Sequence, residues 1–358
     1  MTASATTSGS PADRGRIDPR LRLFVLAFLG IAIYYLVLSV LVEGGAPVAA
    51  QQVSNALTLG AIYALVALGY TMVYGIIELI NFAHGDVFMV GTFMSLFFLS
   101  HPPKPLDFLG LHLSGPIYEP LALAAVMIAA FLFGMTVMGA INVFIERFAY
   151  RPLRHAPRLA PLITAIGVSL ILQNIMQIIV GTGDRLVPQV FPNIRFEILG
   201  ASIGLLNIFI VVVSLALMYS LQQFVGRTRL GRAMRATAQD QHAAQLMGVD
   251  LNQTIAITFL IGGALAGAAG VFQGQYFGFV RFDLGFNAGL KAFTAAVLGG
   301  IGNLAGAVLG GFLIAFIEVF AAANGQQRWS QAILFMVLIL VLVFRPSGIL
   351  GQQIGERA

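Results

Sequence analysis

The stretch GRTRLGRAMRATAQDQHAAQLMGVD, Gly226 to Asp250, is a polar and arginine-rich island in an apolar region of the chain. Apolar segments at about 204–224 and 252–278 flank it. Each is long enough to cross, as a helix, the hydrocarbon core of a bilayer, which is about 30 Å thick. The island is therefore predicted to be a loop that joins two transmembrane helices.

The composition of the whole chain supports this prediction. Of the 358 residues, 58% are hydrophobic and only 10% are charged, whereas a soluble domain carries roughly 25% charged residues. The mean hydropathy is +0.88. Cysteine is absent, which excludes a disulfide framework, a thiolate metal site and a cysteine nucleophile. We expect an all-α, polytopic membrane helical bundle.

The apolar segments predict about eight to ten transmembrane passes. Two of them, 87–100 and 289–301, are too short to cross the bilayer as straight helices, so we expect half-helices or parts of broken helices there. The ten segments lie at approximately 21–42, 53–75, 87–100, 118–143, 160–181, 204–224, 252–278, 289–301, 304–323 and 330–345.

The chain divides into three parts. Residues 1–20 are small and polar and are expected to form a disordered tail, 21–345 a transmembrane domain, and 346–358 a C-terminal tail. Arginine-rich loops of membrane proteins face the cytoplasm. This rule predicts a cytoplasmic loop at 226–250 and cytoplasmic termini. The loop arginines that set this orientation are Arg147, Arg151, Arg154, Arg158, Arg227, Arg229, Arg232 and Arg235.

The order of the passes predicts an inverted repeat. Four passes follow the first one, then a single pass, then four more, so counterparts lie five passes apart and run in opposite directions. Each group has a glycine-containing interruption near its short pass, NFAHGDVFMVG and AAVLGGIGN.

The end of the island has the signals of a short capped helix. Asp240 can cap a helix over 241–247, and Gly248 suits the left-handed position that ends it. Asp250 can then cap the next helix, with Gln253 at capping-box spacing. A helix of two turns is unstable alone in water, so it must pack against something.

Two partners for this short helix are considered. Ala243, Ala244, Leu246 and Met247 give it a small or apolar contact surface that a second protein could cover. Alternatively, it could lie on lipid headgroups, which attract the neighbouring arginines.

Polar residues also occur inside the apolar passes. Such groups are costly at membrane depth and usually face the bundle interior or a cavity. In NFAHGD, the residues Asn81, His84 and Asp86 are candidates for the wall of a solute path, since broken helices line such paths in transporters. The alternative is that they only close a helix break, with Asp86 capping the following pass. Glu318 is expected to pair with a polar neighbour or to lie near an interface.

Several segments resemble one family of transport proteins. HAAQLMG resembles the EAA loop of ABC importer permeases, with His242 in place of the glutamate. Leu57 to Phe93, Arg151 to Asn174, Gly289 to Gly311, and the ending RPSGILG are similar to the H-type permease of branched-chain amino-acid ABC importers. The resemblance covers nearly the whole chain after the N-terminal tail.

This resemblance implies a type II ABC importer permease in the bacterial cytoplasmic (inner) membrane. The implied partners are a second, M-type permease, two ATPase subunits and a periplasmic substrate-binding protein. The chain itself would bind no cofactor, because the partners hydrolyse ATP. The island would hold the coupling helix, and the residues assigned to ATPase coupling are Arg232, Asp240, Ala243, Ala244 and Gly248.

Other functions are possible from the residues alone. A P-loop is excluded, because the only lysines, Lys104 and Lys291, do not lie in a Gly-rich GK[ST] turn. No catalytic constellation is recognised, so an enzyme is not expected. A proton- or sodium-driven secondary transporter would use the same broken helices, and a channel is a third class. The short capped helix favours the ABC permease, whose substrates would be branched-chain amino acids or, alternatively, urea or short amides.

Overall fold

The computed structural model describes residues 45–79, 81–101, 115–154, 156–157, 159–198, 200–344 and 347–351. The predicted tail 1–20, the first predicted pass at 21–42 and most of the predicted tail 346–358 lie outside the described residues. Within that last segment, the described residues pack on the bundle: Ile349 N donates to Leu298 O at 2.9 Å, and Leu350 N donates to Gly299 O at 2.9 Å.

The described part of the chain is a helical bundle, as predicted. Seven of its helices are long and apolar enough to cross a membrane. The helices are α1 (Ala46–Ile77), α2 (His84–Ser100), α3 (Pro120–Ile145), α4 (Leu159–Val180), α5 (Leu205–Arg227), α6 (Arg229–Gln239), α7 (Gln241–Leu246), α8 (Leu251–Phe277), α9 (Leu284–Gly299), α10 (Leu304–Ala323) and α11 (Ser330–Phe344).

Shorter elements complete the bundle. A π-helical turn at Glu146–Tyr150 and a 3₁₀ turn at Arg151–Leu153 extend α3, and a 3₁₀ turn at Gln327–Trp329 precedes α11. Two small antiparallel sheets join loops: β1 (Arg185–Leu186) pairs with β4 (Phe279–Val280), and β2 (Arg195–Ile198) pairs with β3 (Ala201–Gly204).

Helices α1 and α8 form the centre of the bundle. The most apolar part of α1 is 94% buried, whereas that of α4 is only 17% buried. The exposed faces of α4, α5 and α11 carry large apolar side chains such as Ile178, Val212 and Val343. Exposed apolar surface of this kind suits contact with lipid rather than water. The chain is therefore a multi-pass membrane protein.

Backbone contacts hold the central helices together. A methyl group added at Gly267 of α8 would lie 2.7 Å from the carbonyl carbon of Gly134 on α3, which is too close for any side chain. Similarly, a methyl group added at Gly311 of α10 would lie 2.6 Å from Cα of Ala64 on α1. Apolar burial provides no force between helices in lipid, so such close approach supplies the packing energy.

The inverted repeat is visible in the backbone. Helix α1 ends at Ile77 and α8 ends at Phe277, and each is followed by a residue in the left-handed conformation, Glu78 (φ 54°) and Gly278 (φ 75°). The half-helices α2 and α9 then begin at residues 84 and 284, so the offset is 200 residues at all three points. The counterpart of NFAHGD is thus RFDLGF at 281–286. The segment AAVLGGIGN, which the sequence pattern pairs with NFAHGD, lies instead at the far end of α9, so that pairing is wrong.

The two short passes are half-helices whose N-termini meet inside the bundle. Helix α2 has 17 residues and α9 has 16, about 25 Å each at 1.5 Å per residue. A methyl group added at Gly285 would lie 2.8 Å from Cα of Asp86, and one added at Gly85 would lie 2.7 Å from Cα of Gly289, so the backbones of α2 and α9 touch near their N-termini. The His84 ring also contacts Gly69, about two turns before the end of α1. The connection after α1 therefore turns back into the bundle before α2 begins.

Candidate coupling helix and solute path

The island folds into two helices rather than one. Thr228 begins α6 by accepting a hydrogen bond from Gly231 N at 3.0 Å. The arginine-rich stretch is helical because Gly231, Met234 and Thr237, three residues apart, form a buried stripe. Arg232 lies on the exposed side and donates to Arg227 O at 3.5 Å. Only the second helix was predicted from the sequence, because the arginines between these positions hide the buried stripe of the first.

The second helix, α7, has the caps that the sequence predicts. Asp240 accepts a hydrogen bond from Ala243 N at 3.0 Å, and Gly248 has the left-handed φ of 83°. Asp250 then caps α8 by accepting from Asn252 N at 2.9 Å and from Gln253 N at 3.2 Å. Asp240 therefore marks where this six-residue helix starts, and Gly248 marks where it ends.

One face of α7 packs on the bundle, and the other faces outward. Gln241 Nε2 donates to Ile76 O in the last turn of α1 at 3.0 Å, and Ala244 is only 3% exposed. Leu246 and Met247 are 89% and 85% exposed, and Ala243 is exposed beside them. We refer to Ala243 and Leu246, together with Met247 directly after the helix, as the outward face of α7. Of the two alanines assigned to coupling, Ala244 contacts its own chain, so only Ala243 belongs to the outward face.

A buried carboxylate lies beside this loop. Glu146, in the π-helical turn, is fully buried and accepts from Arg151 Nη2 at 3.0 Å and from Arg154 Nη2. Arg154 also donates from Nη1 to Asn252 Oδ1 at 2.8 Å, so the cluster joins the end of α3 to the start of α8. Burial lowers the pKa of the Arg154 guanidinium, and the Glu146 carboxylate opposes this shift. From the sequence these arginines indicate only the orientation, although Glu146, the one acidic residue in the arginine-rich segment 146–158, was a usable signal for an ion pair.

The connection between α1 and α2 contains Asn81. The Tyr150 hydroxyl donates to Asn81 Oδ1 at 2.9 Å, and both residues are buried. Among the described residues, Asn81 Nδ2 has no hydrogen-bond partner.

His84 is the first residue of α2 and is fully buried. Its ring meets Tyr70 edge-on, with centroids 4.8 Å apart. Neither ring nitrogen has a hydrogen-bond partner among the described residues. His84 therefore lies where α1, α2 and α8 meet, near the contact between the two half-helices.

Asp86 does not cap α2, so the cap predicted by one of the two interpretations of NFAHGD is wrong. The helix begins two residues earlier, with Ala83 in the cap position and no side-chain cap. The Asp86 carboxylate lies inside the first turn, where the helix dipole favours a negative charge. It accepts hydrogen bonds from Ser169 Oγ and, at 3.0 Å, from Gln173 Nε2. These α4 residues were missed, although a serine and a glutamine four apart on an apolar helix were a usable signal.

A second polar cluster joins the two repeats. Lys291 Nζ of α9 lies 2.5 Å from Glu318 Oε1 of α10, and the Tyr63 hydroxyl of α1 donates to Glu318 Oε2 at 3.0 Å. Lys291 also donates to the Tyr63 hydroxyl at 3.3 Å. Glu318 is thus paired, as one of the two sequence expectations had it. Both charged side chains are 19% exposed.

Comparison with known proteins gives the family. The family described as "Branched-chain amino acid transport system / permease component" matches residues 52–342. No solved structure gives a significant match to the chain.

Three curated relatives illustrate the similarity. The chain is 44% identical to the high-affinity branched-chain amino acid transport system permease protein BraD of Pseudomonas aeruginosa over 86% of this chain and 97% of BraD. It is 40% identical to LivH of Escherichia coli over the same shares. It is 28% identical to the probable permease LivH of Methanocaldococcus jannaschii, over 80% of this chain and 88% of that protein. The chain therefore belongs to the family of branched-chain amino acid transport system permease components.

Proposed function

We propose that this chain is the membrane permease subunit of an ABC importer for branched-chain amino acids. Its partners are a second permease, two ATPase subunits and a periplasmic substrate-binding protein. The observation that carries the proposal is the outward face of α7, an apolar surface on a helix of six residues that is capped at both ends. Membership of the permease family agrees with it.

The position of α7 supports a coupling role. The helix touches the last turn of α1 through Gln241 and Ile76, and the connection that follows α1 leads directly to Asn81 and His84. A displacement of α7 would therefore be transmitted through the end of α1 to the start of α2. The chain contains no P-loop, so nucleotide hydrolysis is assigned to subunits in trans.

The orientation follows from the arginines. Residues 226–250 and the loop near Arg151 and Arg154 lie on the side assigned to the cytoplasm, together with both termini. The membrane is the bacterial inner membrane. Helix α7 would then face ATPases in the cytoplasm.

The solute path is assigned to the meeting point of the half-helices α2 and α9. Asn81, His84 and Asp86 lie at or before the first turn of α2, where a broken helix brings polar groups into the bundle. Branched-chain amino acids are the first substrate class because the curated relatives are named for them. Urea and short amides are the second class.

Reconstitution tests the proposal. The permease pair, ATPases and binding protein are placed in proteoliposomes, and uptake of labelled leucine and labelled urea is measured with and without ATP. We expect ATP-dependent leucine uptake. Urea uptake without leucine uptake would mean that urea, rather than a branched-chain amino acid, is the substrate. Uptake of either solute that needs an ion gradient but no ATP would refute the ABC assignment.

A further inference from the structure

One side of α9 carries a row of polar residues that leads into the bundle. Asp283, in the cap position of the helix, is followed at intervals of four residues by Asn287 and Lys291. Residues at this spacing lie on the same side of a helix. We refer to Asp283, Asn287 and Lys291 as the polar stripe of α9. It is about 12 Å long at 1.5 Å per residue.

The polar stripe starts on the side of the bundle opposite to α7. Helix α8 begins next to α7, and its 27 residues cross the bundle before β4 and α9 follow. Helix α9 then runs back toward the side of α7. Lys291, at the inner end of the stripe, lies beyond Gly289, the residue of α9 that touches Gly85 of α2. The stripe therefore leads from the surface to the contact between the half-helices.

Each residue of the stripe is paired with a side chain of complementary charge or hydrogen-bonding type. From the surface inward, the three pairs are Arg281 with Asp283, Gln331 with Asn287, and Lys291 with Glu318. The side chains of the first pair are 49% and 39% exposed, and those of the last pair are 19% exposed. Two pairs join one positive and one negative charge and the third is uncharged, so the three pairs carry no net charge.

This surface does not suit contact with lipid. The exposed faces of α4 and α5 carry apolar side chains, whereas Asn287 and Gln331 are exposed and polar. Polar and ionised groups at membrane depth usually face the bundle interior or a water-filled cavity. Because Asn287 and Gln331 are exposed in this chain, the stripe is expected to border a cavity that a second subunit closes off from lipid.

The groups along the stripe match an aliphatic α-amino acid. Each pair offers a donor for the carboxylate of the solute beside an acceptor for its ammonium group. A path lined by one sign of charge would instead concentrate ions of the opposite sign. Phe286, which is 54% exposed, and the half-buried Leu290 directly precede Asn287 and Lys291, so an apolar edge for the solute's side chain runs along the stripe.

We propose that the polar stripe of α9 lines the entrance of the solute path and contacts the charged groups of the amino acid on its way to the half-helices. The inference rests on the proposed function and adds this stripe to the path residues Asn81, His84 and Asp86. The competing explanation is that polar side chains of the second permease cover the stripe. It would then be a subunit interface that no solute enters.

Asn287→Leu in the reconstituted importer separates these two explanations, because leucine is similar in size but lacks the amide. At low leucine concentration, we expect uptake to fall about fivefold, the factor that one hydrogen bond of about 1 kcal/mol is worth. The second permease should still co-purify with this variant. Its loss would make the stripe a subunit interface and would overturn the proposal.

Asn174→Leu is the matched control. Asn174 is also an exposed asparagine in a spanning helix, but it lies on α4 and donates to Leu170 O of the same helix at 2.7 Å. We expect wild-type uptake from this variant. Equal uptake by Asn287→Leu and Asn174→Leu would mean that the amide of Asn287 does not contact the solute.

Cysteine labelling gives a second readout that does not depend on transport rates. The chain has no cysteine of its own, so Asn287→Cys is combined with cysteine-free partner subunits. A small water-soluble thiol reagent should modify Asn287→Cys in the assembled importer but not Asn174→Cys, which faces lipid. Binding protein loaded with leucine should slow the modification more than unloaded binding protein does. An unreactive or unprotected Asn287→Cys would overturn the proposal.

The wild-type importer separates the two levels of the inference. If it takes up no branched-chain amino acid, the proposed function itself fails. If it takes up leucine, but the Asn287 variants behave as their Asn174 controls do, the assignment of the polar stripe alone fails.

Discussion

Gln241, the first residue of α7, donates its side-chain amide to the backbone carbonyl of Ile76 in the last turn of α1 at 3.0 Å. Two residues later, Glu78 takes the left-handed conformation that turns the chain back into the bundle. A hydrogen bond therefore joins the outward-facing short helix to the start of the broken region.

Gln241→Leu should uncouple transport from ATP hydrolysis. The outward face of α7 is unchanged, so we expect the ATPases to remain bound while leucine uptake per ATP hydrolysed falls several-fold. Gln245→Leu is the control, because Gln245 lies on the same helix with an exposed side chain. Equal coupling ratios in the two variants would show that the bond to Ile76 transmits nothing.

Leu246→Glu should release the ATPase subunits. A charge placed in an apolar groove is desolvated without a partner, which is a large penalty for a small contact. We expect the ATPases to be lost on co-purification, whereas Leu246→Met, which keeps an apolar side chain, should retain them. Retention of the ATPases by Leu246→Glu, with altered binding to anionic lipid vesicles, would instead place α7 on the headgroups.

Ala244→Glu should act on the permease itself. Ala244 is 3% exposed within its own chain, so a carboxylate there would be buried without a partner. We expect a lower melting temperature of the isolated permease, measured in detergent before any ATPase is added. An unchanged melting temperature with loss of ATPase binding would move Ala244 to the outward face.

Removing one charge of the pair between Lys291 and Glu318 should destabilise the protein, whereas removing both charges should not. Lys291→Met leaves the Glu318 carboxylate uncompensated in the bundle, a loss of about 3 kcal/mol for a buried pair. The double variant Lys291→Met with Glu318→Leu removes both charges and should recover most of the melting temperature. If the double variant is as unstable as the single one, the pair is not what stabilises this region.

Single cysteines can test the orientation, because the chain has no cysteine of its own. Glu197→Cys and Gln239→Cys place exposed thiols in β2 and at the end of α6. An impermeant maleimide added outside intact spheroplasts should label only Glu197→Cys. Labelling of Gln239→Cys under the same conditions would invert the proposed topology.

Much of the fold was predictable, because lipid imposes simple rules on sequence. Long apolar runs predicted the spanning helices. Asp240 and Gly248 correctly marked the two ends of α7, and Asp250 marked the start of α8, because capping depends on neighbouring residues. The inverted repeat was also predicted. Its register was not predicted, because NFAHGD and RFDLGF share only two residues at this offset, Phe82 with Phe282 and Gly85 with Gly285.

The polar contacts were less predictable, because they join residues far apart in the chain. Asp86 looked like a helix cap, but its carboxylate is bound by Ser169 and Gln173 of α4. The partner of Asn81 is Tyr150, which no local pattern indicated. Burial also separated Ala243 from Ala244, since the packed side of a helix depends on its neighbours.

The contact between Gly85 and Gly289 has a mechanical consequence. Side chains can change rotamer to absorb a displacement, but two backbones in direct contact leave no compressible layer between them. The two half-helices therefore touch at their N-terminal ends with no side-chain layer between them. A tilt of either half-helix must move the backbone of the other at this point, so the two are expected to move together.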